Sequence, residues 1–237
     1  MVLPLIVACG ARSDLSGELG SSWTQGDDAG GVDGAVSTDP HGAISVALGY
    51  GNTCVALRSG EVKCLGANDC GQLGNGTRSA AMEFAAEAAA VLGLGQPALQ
   101  VSVGQAHACA LLVDGSVQCW GGCVVPGEGW SPLGNGKEGG SAVPVKVAAL
   151  AEPVRQIDAG LESNCALFAS GRIACWGHFV GLKATNLPAT HSAATQITVG
   201  DSAVILYAMS ADGALSILES PQHGDQFPNH HLRRRLS

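Results

Sequence analysis

Cysteines are the side chains in this 237-residue sequence whose type and spacing most clearly predict chemistry, and six of the nine follow one rule. In each pair the second cysteine lies ten residues after the first: Cys54 with Cys64, Cys109 with Cys119, and Cys165 with Cys175. A glycine precedes each pair by five residues, and the units repeat with a period of 55 or 56 residues. Such a period predicts an array of supersecondary units that bury their apolar faces against one another.

Each pair is predicted to close a β-hairpin, because a turn signal lies midway between its two cysteines. The second unit has Asp114 and Gly115 there, and the other two have serine followed by glycine. A three-residue loop with Gly115 in the left-handed conformation places Cys109 directly opposite Cys119. Opposed residues in a non-hydrogen-bonded antiparallel pair lie about 4.5 Å apart at Cα, which is within disulfide reach. The spacing therefore predicts three hairpin disulfides.

Alternatives to these disulfides remain open at the level of sequence. Reduced thiols could fill core positions, since buried cysteines are common. A zinc site is disfavoured because the pairs have neither Cys-x-x-Cys spacing nor clustered histidines, so no metal ligand is assigned. Cys70 and Cys123 follow their hairpins and could form a further disulfide between neighbouring units, but the sequence does not fix that connectivity.

A fourth unit continues the pattern without cysteines. Gly200 and the turn at Asp212 and Gly213 match the earlier units, although two extra residues lie between them. Alignment on this turn places Tyr207 and Ile217 where the paired cysteines would stand. Both cysteines are absent together, as expected if each exists to bond the other.

One segment breaks the β pattern. Residues 80–92 are rich in alanine and include Glu83 and Glu87, a composition of good helix formers. We expect a short helix or a loop inserted between two units. The later part of this segment aligns with residues 143–150, which we interpret as the strand entering the third unit.

The repeated segments resemble the repeat of the regulator of chromosome condensation family, which is a β-propeller repeat. The matching stretches are residues 68–74, 104–111 and 114–121, and the resemblance covers roughly residues 41–221. It implies an all-β fold of propeller-type repeats of antiparallel hairpins, and bacterial secreted members with paired cysteines look similar. A full family propeller has seven blades, whereas this chain has three clear units and one degenerate unit. We therefore expect an incomplete propeller.

Cys9 is predicted to be lipidated. The residues around it resemble a bacterial lipobox, in which the cysteine is acylated and becomes the mature N-terminus. A chance match is the alternative, because the preceding apolar run is short and has no lysine or arginine. The resulting division is a lipoprotein signal remnant at 1–9, a flexible Gly/Asp/Ser-rich tether at 10–40, the propeller domain at 41–221 and a disordered tail at 222–237.

Composition favours an exported β protein. Only 14% of the residues are charged, and the net charge of −8 argues against a nucleic-acid partner, whose phosphates need a basic face. No apolar run is long enough to span a membrane, so contact with a membrane is expected only through the lipid. The predicted location is the cell envelope, lipid-anchored at the outer membrane or secreted.

The sequence contains no recognisable catalytic constellation. It has no Gly-x-Ser-x-Gly elbow, no His-Glu-x-x-His motif and no phosphate-binding glycine loop, so we assign no catalytic or cofactor-binding residue. His107 lies at a repeat position where Asn52 and Ser163 stand in the other units. We interpret it as a polar side chain that satisfies the blade backbone. The protein is not expected to be an enzyme.

The leading hypothesis is a non-enzymatic, surface-anchored repeat protein that presents propeller loops for binding a protein or a glycan. The candidate binding loop contains Val124, Glu128 and Trp130, in the region that varies most between units. By family resemblance, the alternative is guanine-nucleotide exchange on a small GTPase. A secreted propeller hydrolase is the third hypothesis. We also expect that oligomerisation could complete the array.

Overall fold

The computed structural model describes residues 39–80, 83–124, 127, 131–178, 180–187, 193–200 and 205–219. Cys9, the tether up to residue 38 and the tail at 222–237 lie outside these ranges. Within them every regular element is a β-strand, which confirms the predicted all-β class. The described part of the chain accordingly contains no helix that is long and apolar enough to cross a membrane.

Fifteen strands in the described ranges form four antiparallel sheets, and each sheet is a meander of consecutive strands. Blade 1 contains β1 (Ala43–Leu48), β2 (Asn52–Leu57), β3 (Val62–Ala67) and β4 (Phe84–Ala90). Blade 2 contains β5 (Ala98–Val103), β6 (His107–Leu112), β7 (Val117–Gly121) and β8 (Ser141–Lys146). Blade 3 contains β9 (Val154–Ala159), β10 (Ser163–Phe168), β11 (Ile173–Gly177) and β12 (Gly181–Asn186). Blade 4 has three strands, β13 (Ala194–Val199), β14 (Ile205–Ser210) and β15 (Leu215–Glu219).

The central hairpin of each blade has the predicted turn. In blade 2 the backbone N–H of Leu112 donates to the carbonyl of Ser116 at 2.9 Å, which encloses a loop of three residues. Gly115 has a φ of 77°, the left-handed conformation that the loop requires. Cys109 consequently pairs with Cys119 across the ladder. The predicted hairpin geometry is confirmed.

Blade 4 confirms the alignment of the degenerate unit. Tyr207 pairs with Ile217 across β14 and β15, at the register that the cysteines occupy in the other blades. The loop closes in the same way, since the N–H of Ser210 donates to the carbonyl of Ala214 at 3.0 Å. The two extra residues therefore lie before β14 and leave the hairpin register unchanged.

The expected helix or loop at residues 80–92 is wrong, because this segment contains strand β4. Ala89 and Ala85 pair with Cys64 and Gly66 of β3 and pack on the core of blade 1. Residues 141–146 form the equivalent outer strand of blade 2, not a strand that enters the third unit. Alanine favours helices locally, but the free edge of β3 offers hydrogen bonds and an apolar surface that outweigh this preference.

The core lies between consecutive blades. Val101, Ile157 and Ile197 hold equivalent places on the inner strands of blades 2, 3 and 4, and they are 3%, 1% and 2% exposed. Each belongs to a cluster that it shares with the preceding blade. Two fully buried tryptophans strengthen these joints, and the indole N–H of Trp120 donates to the carbonyl of Gln72 in blade 1 at 2.8 Å.

The repeated glycine before each cysteine pair permits this packing. Gly160 directly follows the inner strand of blade 3, and a Cβ added to it would lie 2.7 Å from the carbonyl oxygen of Gly200 after the inner strand of blade 4. The added carbon would also meet Val199, so any side chain would force the two blades apart. This close approach explains why the period is marked by glycine.

Candidate binding face

One end of the array, formed by the loops that follow the inner strands, contains an open cleft of about 450 Å³. We call this end the loop face and its cavity the loop-face cleft. The connections β1–β2, β3–β4, β5–β6, β7–β8 and β9–β10 all reach this end, because each blade is a meander. The side chains that characterise the cleft are those of Tyr50, Asp69, Phe84, Gln105, His107 and Glu162.

Two aromatic side chains stand exposed at the cleft. Tyr50 is 83% exposed and Phe84 is 63% exposed, which is unusual for residues of this size. The two aromatics therefore form an apolar border to the cleft, available to a partner.

The charged groups of the cleft are acidic. Asp69 accepts a hydrogen bond from the amide of Gln72 at 2.9 Å, and the Glu162 carboxylate lies 2.6 Å from Nδ1 of His178. Among the described residues that line the cleft there is no lysine and no arginine. The cleft is thus electrostatically suited to a partner with basic groups.

His107 forms part of the cleft but is almost fully buried. Its Nε2–H donates to the side-chain oxygen of Asn164 at 2.9 Å, and the amide of Asn164 donates to the carbonyl of Pro132 at 2.8 Å. The histidine therefore bonds to a side chain of blade 3, not to the blade backbone as predicted. Desolvation lowers the pKa of His107 to about 4, so the ring is neutral at physiological pH.

The equivalent position in blade 1 lacks this arrangement. Asn52 is buried, and neither polar atom of its side chain has a hydrogen-bond partner among the described residues. Ala108 stands where Asn164 stands in the next blade, so blade 2 has no side-chain acceptor at that position. The position that could have revealed the His107–Asn164 pair is the one directly before the first cysteine of each unit. Only the third unit has asparagine there.

The buried histidine predicts a pH-dependent stability. Because the folded-state pKa of His107 is below the unfolded value of 6.5, the unfolded chain binds the extra proton between these values. We expect the free energy of unfolding to fall by about 3 kcal/mol between pH 6.5 and pH 4 from this group alone. Denaturant unfolding of His107→Asn across this range should show a shallower pH slope than wild type. The exposed His41→Asn is the control, and an unchanged slope in His107→Asn would contradict the assignment.

All eight cysteines in the described ranges are in disulfides. The hairpin pairs have Cα–Cα distances of 4.1, 4.0 and 4.1 Å for Cys54 with Cys64, Cys109 with Cys119, and Cys165 with Cys175. Cys70 joins Cys123 at a Cα–Cα distance of 5.0 Å and links the β3–β4 loop of blade 1 to the β7–β8 loop of blade 2.

The Cys70–Cys123 disulfide also bears on metal binding at the cleft wall. A carboxylate oxygen of Asp69 and the two sulfur atoms lie within 4.8 Å of one another. Metal coordination by cysteine requires the thiolate, and the two sulfurs are bonded to each other. In this redox state the cluster does not supply a metal-ligand set.

The predicted binding loop begins at the cleft. Cys123 lines the cleft wall, and Val124, which follows it, is half-buried. Gly127 lies further along the loop, and its N–H donates to the carboxylate of Glu138 at 3.2 Å. Glu128 and Trp130 lie outside the described residues, so their part in the cleft stays a prediction.

Sequence reasoning missed the aromatic border of the cleft. Tyr50, Gln105 and Leu161 each follow the repeated glycine of their unit, and all three line the cleft. The sequence signal was therefore a variable position directly after the glycine that the units share. Phe84 gave no comparable signal, because it begins the strand that was expected to be a helix or a loop.

Comparison with known proteins identifies one type of repeat in this chain. The regulator of chromosome condensation (RCC1) repeat matches residues 43–72 and 99–122. The ultraviolet-B receptor UVR8 of Arabidopsis thaliana is 30% identical over 188 residues, which is 73% of this chain and 41% of UVR8. The chain thus spans well under two thirds of the length of this relative.

Solved structures agree on the fold. Human WBSCR16 superposes with a TM-score of 0.64 at 20% identity, over 75% of this chain and 47% of that one. Yeast RCC1 (Prp20), in its structure with Kap60, gives a TM-score of 0.65 at 15% identity, over 84% and 50%. Prp20p of Saccharomyces cerevisiae, in a study of its binding to Gsp1p and histones, gives 0.60 at 21% identity, over 73% and 43%. Residues 43–72 and 99–122 of this chain are thus RCC1 repeats, and the four blades in the described residues form an incomplete propeller array.

Proposed function

We propose that this chain is a non-enzymatic binding protein whose loop-face cleft binds a protein partner, and that a lipid on Cys9 holds it at the cell envelope. The observation that carries the binding proposal is the pair of exposed aromatics, Tyr50 and Phe84, beside an open acidic cleft. Exposed aromatic side chains next to a cavity are typical of the residues that dominate protein-binding energy.

Relatives with the same fold support a protein partner. Yeast RCC1 has been solved bound to Kap60, and Prp20p has been characterised for its binding to Gsp1p and histones. All of these ligands are proteins. The chain covers at most half of those structures, so a protein ligand for this cleft remains our proposal, and its identity is left to experiment.

The chemistry of the cleft supports binding over catalysis. Of the titratable groups there, His107 is buried and bonded to Asn164, and Glu162 is paired with His178. The described lining residues include no serine, threonine or lysine, and both cysteines there are in a disulfide. A hydrolase of the serine, threonine or cysteine type needs such a nucleophile beside a base, and the described lining offers no such arrangement.

Site-specific photo-crosslinking tests the binding proposal. Benzoylphenylalanine placed at Tyr50 or at Phe84 in the full chain, expressed in its native cells, should form a covalent adduct with the same protein. Val113 is the matched control, because it is 49% exposed but lies in the β6–β7 turn, on the side of the blades opposite the loop face. Mass spectrometry of the adduct identifies the partner.

The other function hypotheses give different results in the same system. No adduct at positions 50 and 84 combined with binding to a glycan array would replace the protein partner with a glycan. Equal adducts at all three positions would refute a cleft-specific partner. Adducts with a small GTPase, together with faster GDP release from it when the chain is added, would establish the exchange-factor alternative. We expect no change in the rate of GDP release.

A further inference from the structure

Consecutive blades are joined by a repeated side-chain bridge. The amide of Gln100 in blade 2 donates to the carbonyl of Ile157 in blade 3 at 2.9 Å and accepts from its N–H at 3.0 Å. Gln156 in blade 3 makes the same two bonds to Ile197 in blade 4, at 2.8 and 3.1 Å. The glutamine thus substitutes for a β-ladder partner between inner strands that belong to different sheets.

A second hydrogen bond recurs in each joint, at the turn of the central hairpin. The carbonyl of the turn glycine accepts from the N–H of the first inner-strand residue of the next blade. The bonds are Gly60 from Ala98 at 2.9 Å, Gly115 from Val154 at 2.9 Å and Gly171 from Ala194 at 3.1 Å. In the joint between blades 1 and 2, Ser45 stands in place of the glutamine, and its hydroxyl accepts from the N–H of Val101 at 3.1 Å. Every joint in the described array therefore has a glutamine or serine bridge at the inner strand and a glycine–amide bond at the turn.

Blade 4 carries the glutamine and turn-glycine half of this joint, and no further blade follows it in the described residues. Gln196 occupies the position of Gln100 and Gln156, but it is exposed and no described residue bonds to its side-chain amide. Gly213 is the turn glycine of this blade, and a Cβ built on it would meet nothing within 4 Å. Thr198 adds a hydroxyl at the position where Ser102 and Asp158 accept an N–H from the next blade.

Blade 1 carries the complementary half. Val46 and Leu48 occupy the positions of Val101 and Val103, which are 3% and 6% exposed in blade 2. In blade 1 the same positions are 61% and 74% exposed, because no blade precedes it in the described array. β1 is the edge strand of its sheet, so the backbone of Val46 faces outward as that of Ile157 does in blade 3.

We propose that the blade-1 end of one chain docks on the blade-4 end of a second copy, through the same joint that connects blades within the chain. Gln196 of one copy then bridges to the backbone at Val46 of the other, and the turn carbonyl of Gly213 accepts from the N–H of Ala43. Val46 and Leu48 become buried against the β14–β15 hairpin.

A second copy is the occupant that the structure favours, because both halves of one interface lie on the same chain. A contact between two different surfaces is heterologous, and it forms a closed ring when the rotation per subunit allows. Two copies of four blades give eight blades, at the upper end of the range that closed propellers adopt. Exposed apolar strand residues on a free edge also require a cover.

Sedimentation analysis of the full chain tests this proposal. Wild type should show a concentration-dependent dimer, and Val46→Lys and Gln196→Lys should each be at least tenfold weaker in self-association. Both residues are exposed, so circular dichroism, and thermal unfolding at concentrations where wild type is monomeric, should match wild type. Val113 is an exposed residue of blade 2, away from the blade-1 and blade-4 ends. Val113→Lys is therefore the control and should dimerise as wild type does.

Mixing the two variants tests whether the blade-1 end of one copy meets the blade-4 end of the other. The Val46→Lys chain keeps an intact blade-4 end, and the Gln196→Lys chain keeps an intact blade-1 end. A mixed pair therefore has one unsubstituted joint, whereas a pair of either variant alone has none, so an equimolar mixture should associate more tightly than either variant alone. A monomeric wild type at all concentrations, a dimer that survives Val46→Lys, or no rescue on mixing would each overturn the proposal.

Discussion

Replacing Trp120 with alanine is expected to lower the free energy of unfolding by about 3–5 kcal/mol. This side chain is fully buried in the joint between blades 1 and 2, and a Cβ added to Gly74 would lie 2.8 Å from its ring. The substitution leaves a large cavity and removes the donor to the buried carbonyl of Gln72. Denaturant unfolding with the disulfides intact measures the loss.

Leu65 provides a matched control for this prediction. It follows the second cysteine of blade 1, as Trp120 does in blade 2, but it is 40% exposed because no blade covers it. Leu65→Ala should cost less than about 1 kcal/mol, since its removal leaves no closed cavity. Equal losses for Leu65→Ala and Trp120→Ala would contradict the account of how consecutive blades are joined.

Removing the disulfide between blades is expected to have the second largest effect. Cys70 and Cys123 close a loop of 53 residues, whereas each hairpin disulfide closes one of 10. In the chain-entropy model the longer loop gives about 4 kcal/mol and the shorter one about 3 kcal/mol. The double variant Cys70→Ala, Cys123→Ala should therefore be less stable than Cys109→Ala, Cys119→Ala when both are unfolded by denaturant.

Single substitutions test the pairing independently of its energy. If Cys109 bonds Cys119, removing one partner leaves a thiol that can mispair, so each single variant should fold in lower yield than the double variant. The same relation should hold for Cys70 and Cys123. A double variant that folds worse than both single variants would contradict the assigned pair.

The features that were predicted correctly depend on contacts close in sequence. The turn at Asp114 and Gly115 fixes the hairpin register, and the ten-residue spacing of Cys109 and Cys119 follows from that register alone. Tyr207 and Ile217 could be aligned for the same reason, because the turn at Gly213 is retained. Local turn signals were thus sufficient to predict the all-β fold class and the number of units.

The features that were missed depend on contacts between units. Strand β4 forms because β3 offers a free edge, and an alanine-rich segment gives no local sign of that. Tyr50 and Phe84 border one cleft only after blade 1 has folded, and the cleft itself includes residues of three blades. Asn164 is the partner of His107 although 57 residues separate them. One sequence does not specify which of its units will meet in this way.

Disulfide mapping of the protein from its native cells tests the account most directly, because the proposed binding function at the cell envelope requires an exported, oxidised chain. Peptide mass spectrometry without reductant should identify four linked pairs: Cys54 with Cys64, Cys70 with Cys123, Cys109 with Cys119, and Cys165 with Cys175. The same sample should contain an acylated peptide that begins at Cys9. Free thiols at these positions together with an intact Met1 would contradict the proposed export and anchoring.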